Sequence, residues 1–352
     1  MASSSKAGGS SLAAVADGWR RVAAFPAGLL ALWMAVALAT LPGAVAVRAA
    51  LERQLGDSQL ASQVAGGVDL DWWYEFVQSG APASFRLSII GGAAPVSTYS
   101  GLLDGEVPPP GVGAAMLAAG IGWLFLSGGI LDRYARRRRV GVHGFFGACG
   151  VFFFRFLRLA LLTAFAYAVV LGPVHAWLFD MAYPWIVRDT SVERTAFLWR
   201  VALYAMWLLP LLAVNVTADY AKVRAVVEDR HSMIGAIVAA IRFIRRHPAD
   251  VAAVYAVNAA VAGLVLTAYI LLAPDGRGGD WRLLAVLGIG ALYLIARLAT
   301  RLAFLASAMA LVERRFAHAE YTAPPLPVWP DSPAAEAIEN LRSAELGVRS
   351  AE

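Results

Sequence analysis

Arg297 and Arg301 stand four residues apart in an otherwise apolar run, so one face of a helix would carry both guanidiniums. Two such groups in a lipid environment suit a carboxylate or a phosphate, because guanidinium forks bond those anions in pairs. Charges inside membrane spans are costly, which makes them functional candidates by default. Arg200 and Asn258 are the other polar candidates read inside spans. An arginine pair of this kind needs carboxylates or backbone carbonyls facing it. None of the spans read below holds a central Asp or Glu, which argues against a carboxylate proton relay. The expectation is that Arg301 reaches cytoplasmic headgroups while Arg297 faces the bundle or a water pocket.

A second group of basic residues sits at the ends of apolar runs. Asp132-Arg133-Tyr134-Ala135 is followed by Arg136, Arg137, Arg138 and Arg139, a pattern that stops a span and sets guanidiniums on anionic headgroups. The stretch from His143 to Arg158 mixes phenylalanines with Arg155 and Arg158. It reads as an interfacial helix whose rings dip into lipid while its arginines snorkel. These six arginines, Arg136 to Arg139 with Arg155 and Arg158, are the expected lipid headgroup contacts, and the bilayer is the expected partner. Asp71 and Glu75, also four apart, read as solvated charge on a short outer helix.

No catalytic constellation emerges. There is no GxSxG elbow, no GKS or GKT phosphate loop and no dinucleotide fingerprint. Cys149 is the one cysteine, and the five histidines are scattered, so no metal or cofactor site is expected. The basic residues form no stripe between aromatics, which argues against nucleic acid. An enzyme is therefore not the expected class.

The elements that must hold these residues are transmembrane helices. Hydrophobic types make up 59% of the 352 residues and charged ones 16%, against about 25% in soluble domains. Six runs reach the roughly 20 residues that a helical span needs: about 24–47, 111–131, 158–179, 196–217, 250–273 and 282–312. The predicted fold is all-α, a polytopic transmembrane bundle of six spans with interfacial amphipathic helices. The first run is too long for a signal peptide and reads as an uncleaved span. Alternate connections carry 20 basic residues on one side and 7 on the other. The richer side should be cytoplasmic, with both termini there.

The domain reading follows. Residues 1–23 form a cytoplasmic N-terminal segment, 24–317 the membrane domain and 318–352 a Pro-rich cytoplasmic tail. Within the membrane domain, an acidic external loop runs over about 48–110. Valines and isoleucines at helical spacing predict a cytoplasmic amphipathic helix over about 218–249, which Pro248 stops. The heavy use of Arg over Lys and of Ala suggests a high-GC bacterial genome, hence an inner membrane.

Residues Asp219 to Asp229, continuing to Arg245-Arg246-His247-Pro248, resemble a recurrent segment of uncharacterised bacterial multi-span proteins. The segment is similar to the membrane domain found beside some glycerophosphodiester phosphodiesterases. The resemblance covers about residues 195–312. It implies a bacterial membrane fold and no activity, since no phosphodiesterase domain is attached. Two functions are expected from the whole: a non-enzymatic scaffold or subunit of a protein partner, or a permease-like protein passing a small or lipidic anion along Arg297 and Arg301.

Overall fold

The computed structural model describes residues 2–56, 61, 71–72, 75, 110–137, 141–273 and 280–315. The external loop, the outer helix read around Asp71 and Glu75, and the Pro-rich tail lie almost wholly outside the described residues, as do Arg138 and Arg139. Among the described residues there is no strand. The chain runs through α1 (Ala2–Ala23), α2 (Pro26–Leu55), α3 (Pro110–Arg136) and α4 (Val142–Val169). Two π-helical turns, Val170–Val174 and Trp177–Ala182, lead into α5 (Tyr183–Val187). Then come α6 (Glu193–Val227), α7 (Met233–Arg246), α8 (Pro248–Leu272) and α9 (Asp280–Arg315).

Six of these stretches are long and apolar enough to cross a membrane: α2, α3, α4 continued through α5, α6, α8 and α9. The chain is a multi-pass membrane protein of the all-α class. Local chemistry sets the breaks. Pro26 and Pro248 open α2 and α8, where their missing N–H would be unpaired anyway. Ser232 caps α7 by accepting the Gly235 amide at 3.3 Å. Asp229 takes a left-handed φ of 45° in the turn between α6 and α7, a conformation that Asp tolerates better than most residues. Pro173 lacks the amide that an α-helical ladder needs, and one π-helical turn falls there.

Three expectations change. Residues 142–158 are not a separate interfacial helix but the first turns of α4. Phe152 and Phe156 are fully buried there, while Phe146 and Phe154 face outward. Residues 218–249 are not one surface helix. The part up to Val227 belongs to α6, and every side chain from Asp219 to Val227 is buried. Only α7 is the separate amphipathic helix. It buries Met233, Ala236, Ala240 and Phe243 and turns Ile234 and Ile241 outward.

The third change is at the N-terminus, where residues 2–23 form a helix docked on the bundle. Ser11, Ala14, Val15, Gly18, Arg21 and Val22 are buried, a stripe at helical spacing made mostly of small residues. Small side chains let helices approach closely where lipid provides no hydrophobic drive. At Gly18 the approach is extreme: a Cβ there would lie 2.6 Å from the backbone nitrogen of Ser307 on α9.

Burial is uneven along the bundle. From Leu305 to Val312, α9 is buried on every face, ringed by its neighbours. That half of α9, the end of α6 and the docked α1 form a packed body at one end of the molecule. At that end Arg21 and Arg137 share the Glu313 carboxylate, Arg315 bonds Asp250, and Arg133 lies over the Phe25 ring. The opposite halves expose their apolar side chains: Leu38 and Val45 of α2, Leu117 of α3, Phe197 of α6, Leu271 of α8 and Leu284 of α9. The arginine-rich end is held by its own contacts, and the other halves are built to face lipid.

Candidate functional site

Arg301 sits on α9 and turns toward α6. Its two terminal nitrogens donate to the two carboxylate oxygens of Asp219, each at 2.7 Å. The Tyr255 hydroxyl of α8 donates to the same carboxylate at 2.9 Å. One buried Asp thus ties three helices together. Lys222, one turn further along α6, brings another buried cation within electrostatic reach of the pair. This overturns two expectations. Arg301 does not reach headgroups, and its carboxylate exists. Apolarity alone ends the fourth span at about residue 217, two residues short of Asp219, so the sequence offers the arginine pair no carboxylate. Continued helical spacing of apolar residues through Val223 and Val227 was the signal that α6 runs on.

Arg297, one turn up α9 from Arg301, is a different case. No side chain or carbonyl among the described residues makes a hydrogen bond or ion pair with its guanidinium. It lines a cavity of about 350 Å³ with Asn215 of α6, Ala262, Gly263 and Leu266 of α8, and Tyr293, Thr300 and Phe304 of α9. The helix arrangement explains the cavity. α6 and α8 both pack along α9 but hardly on one another, which leaves a cleft with α9 as its back wall. The Tyr255–Asp219–Arg301 link closes the cleft toward the arginine-rich end. Arg297 stands 18 residues from the last residue of α9, about 27 Å along the helix and well away from either tip.

The cleft is mixed in character. Ala262, Gly263, Val265, Leu266 and Phe304 are apolar, while Asn215, Tyr293 and Thr300 offer hydrogen-bonding groups beside the one free cation among them. An unpaired guanidinium in an apolar setting is costly. Such a setting also strengthens its bond to any anion that arrives. A carboxylate or phosphate head against Arg297, with an apolar body along α8, satisfies both kinds of wall.

The other polar candidates fall elsewhere. Arg200 is exposed near the start of α6 and stacks over the Tyr183 ring at 4.7 Å, so it does not join Arg297. Asn258 is fully buried but faces α1: its side-chain oxygen accepts the Trp19 indole N–H at 3.2 Å. It is one of several anchors for α1. Ser11 donates to Asp250 at 3.0 Å, and Arg315 holds the other oxygen of that carboxylate. Arg21 bonds both oxygens of Glu313, at 3.0 and 2.7 Å, and Asp17 at 2.9 Å. Burial pushes the Asp17 carboxyl up, but the guanidiniums of Arg21, Arg137 and Arg20 outweigh it and hold the group below its usual range.

The arginines read as headgroup contacts divide. Arg136 is buried on Asp132 at 2.7 Å, and Arg155 bonds Asp229 at 2.6 Å with His231 beside it. Arg137 bonds Glu313 yet stays 58% exposed, and Arg158 is exposed. Among the described residues no group of three His, Cys, Asp or Glu is placed to hold a metal ion. No family model matches the chain, and no curated protein or solved structure is similar to it.

Proposed function

We propose that this protein binds an anion, carried by an amphipathic or lipidic molecule, in the cleft between α6, α8 and α9, and acts as a permease-like passage or holder for it. The observation that carries this reading is Arg297, a cation without a partner among the described residues, lining a cavity along the middle of an apolar helix. Arg301 lines the same cavity and, held by Asp219, closes it toward the arginine-rich end. The uneven packing supports passage, since the end beyond that link is tightly built while the opposite halves leave room to move. We place the arginine-rich end, and with it both termini, on the cytoplasmic side of a bacterial inner membrane, because basic connections stay inside.

Gly263 supplies the test. It lines the cleft, and a Cβ added there meets nothing within 4 Å, so Gly263→Leu should fold while filling the space. Dodecyl phosphate should raise the melting temperature of the parent in detergent clearly more than that of Gly263→Leu. An equal shift in both proteins overturns the proposal.

A scaffold or partner subunit is the second reading. The observation favouring it is the outward face of α7, where Ile234, Val238 and Ile241 remain exposed beside the packed end. Lipid satisfies that face equally well, so the cleft carries more.

A further inference from the structure

A second cavity lies at the arginine-rich end, far from Arg297. It measures about 480 Å³ and is lined by Asp17, Arg20, Arg21 and Ala24 from α1 and its end, and by Arg133, Tyr134 and Arg137 from α3 and its end. Two carboxylates, Asp17 and Glu313, answer four guanidiniums here, so the pocket keeps a surplus of positive charge. The four are not equally spent. Arg21 and Arg137 hold Glu313. Arg20 reaches Asp17 only at 3.6 Å and is 73% exposed. Arg133 has no carboxylate among the described residues and rests on the Phe25 ring at 4.0 Å.

Two buried polar atoms of the lining residues have no hydrogen-bond partner among the described residues: the Tyr134 hydroxyl and Nε of Arg21. Tyr134 is only 3% exposed. A buried donor without an acceptor is costly, so such groups usually have an occupant to meet. Surplus guanidiniums together with an unpaired hydroxyl are the chemistry of a phosphate site.

We infer that this pocket binds the phosphate of an anionic lipid headgroup. The neighbouring surface favours a lipid over a free ion. Phe25 forms the junction into α2, and Leu30, Met34, Leu38 and Leu41 then follow as an exposed apolar stripe along that helix. A headgroup between Arg20 and Arg133 would place its acyl chain on that stripe. Basic pockets between membrane helices hold lipid phosphates in this way.

The test uses the full chain in detergent, with phosphatidic acid, phosphatidylcholine or inorganic phosphate added at equal ionic strength. Phosphatidic acid should raise the melting temperature of the parent, and neither control should. The Arg20→Ala, Arg133→Ala double variant should lose the shift and bind at least tenfold more weakly. Should the double variant fail to fold, Arg20→Ala alone, at an exposed position, should already weaken binding several-fold. All these comparisons are made in the Gly263→Leu background, where the cleft is filled, so the shift reports this pocket alone. An undiminished shift in Arg20→Ala or in the double variant, or an equal shift with phosphatidylcholine, overturns the inference. An equal shift with inorganic phosphate alone overturns the lipid as its source.

Discussion

Arg301 and Asp219, 82 positions apart in sequence, meet in a two-point fork with both bonds at 2.7 Å, and the fork joins α9 to α6. Buried ion pairs are poor evidence of net stability, but breaking one side leaves an uncompensated charge and costs about 3–5 kcal/mol. Asp219→Ala or Arg301→Ala alone should therefore lower thermal stability strongly. An Asp219→Leu, Arg301→Met double variant should recover most of the loss. Additive losses in a double-mutant cycle would show that the two side chains do not act together.

The docking of α1 depends on Gly18. Any side chain there meets the Ser307 hydroxyl and, behind it, the Ser307 backbone, which cannot swing aside. Overpacking of a tight contact costs about 1–3 kcal/mol, and a bulky residue should exceed that by lifting the helix. Gly18→Leu should abolish amide protection over residues 11–22 while leaving α9 protected. Unchanged exchange across α1 would contradict the packing described.

Acid should loosen the same helix. Asp17 titrates below its ordinary value of 3.8, so the folded protein binds that proton less readily than the unfolded chain does. Its contribution is complete above about pH 4 and is lost as the pH falls through the lowered value. Hydrogen exchange of α1 should accelerate over that window, and Asp17→Asn should remove this component of the pH dependence. The same acid response in both proteins would assign it to other groups.

Topology was the most legible layer of the sequence. Length and apolarity marked the six spans, because a bilayer imposes one length on each. Their ends were less legible. α4 begins at Val142 and α6 runs to Val227, since protein packing at the arginine-rich end replaces lipid without any change in residue type. That is why spacing alone assigns Asp219 to a cytoplasmic amphipathic helix over about 218–249 rather than to the fourth span. α1 is hard to read because its buried stripe of Ser11, Ala14, Val15, Gly18, Arg21 and Val22 holds no large apolar side chain and carries a charge, so it gives little hydropathy signal yet permits close approach. Arg297 and Arg301 were found from spacing alone. Their different roles depend on Asp219, a partner no local pattern could supply.

The proposed orientation predicts the outcome of reporter fusions. A fusion after Asp189, between α5 and α6, should read as external, and one after His231, between α6 and α7, as cytoplasmic. The reverse pattern would turn the arginine-rich end outward.

The central claim is that Arg297 anchors an anion in the cleft, and equilibrium binding of dodecyl phosphate to parent, Arg297→Lys and Arg297→Ala tests it most directly. A charge-assisted hydrogen bond contributes about 1.5–3 kcal/mol, roughly a 10- to 100-fold change in affinity. Arg297→Ala should bind weaker by that factor, with Arg297→Lys between it and the parent. Equal affinity in all three proteins, each folded by its melting transition, would contradict the account.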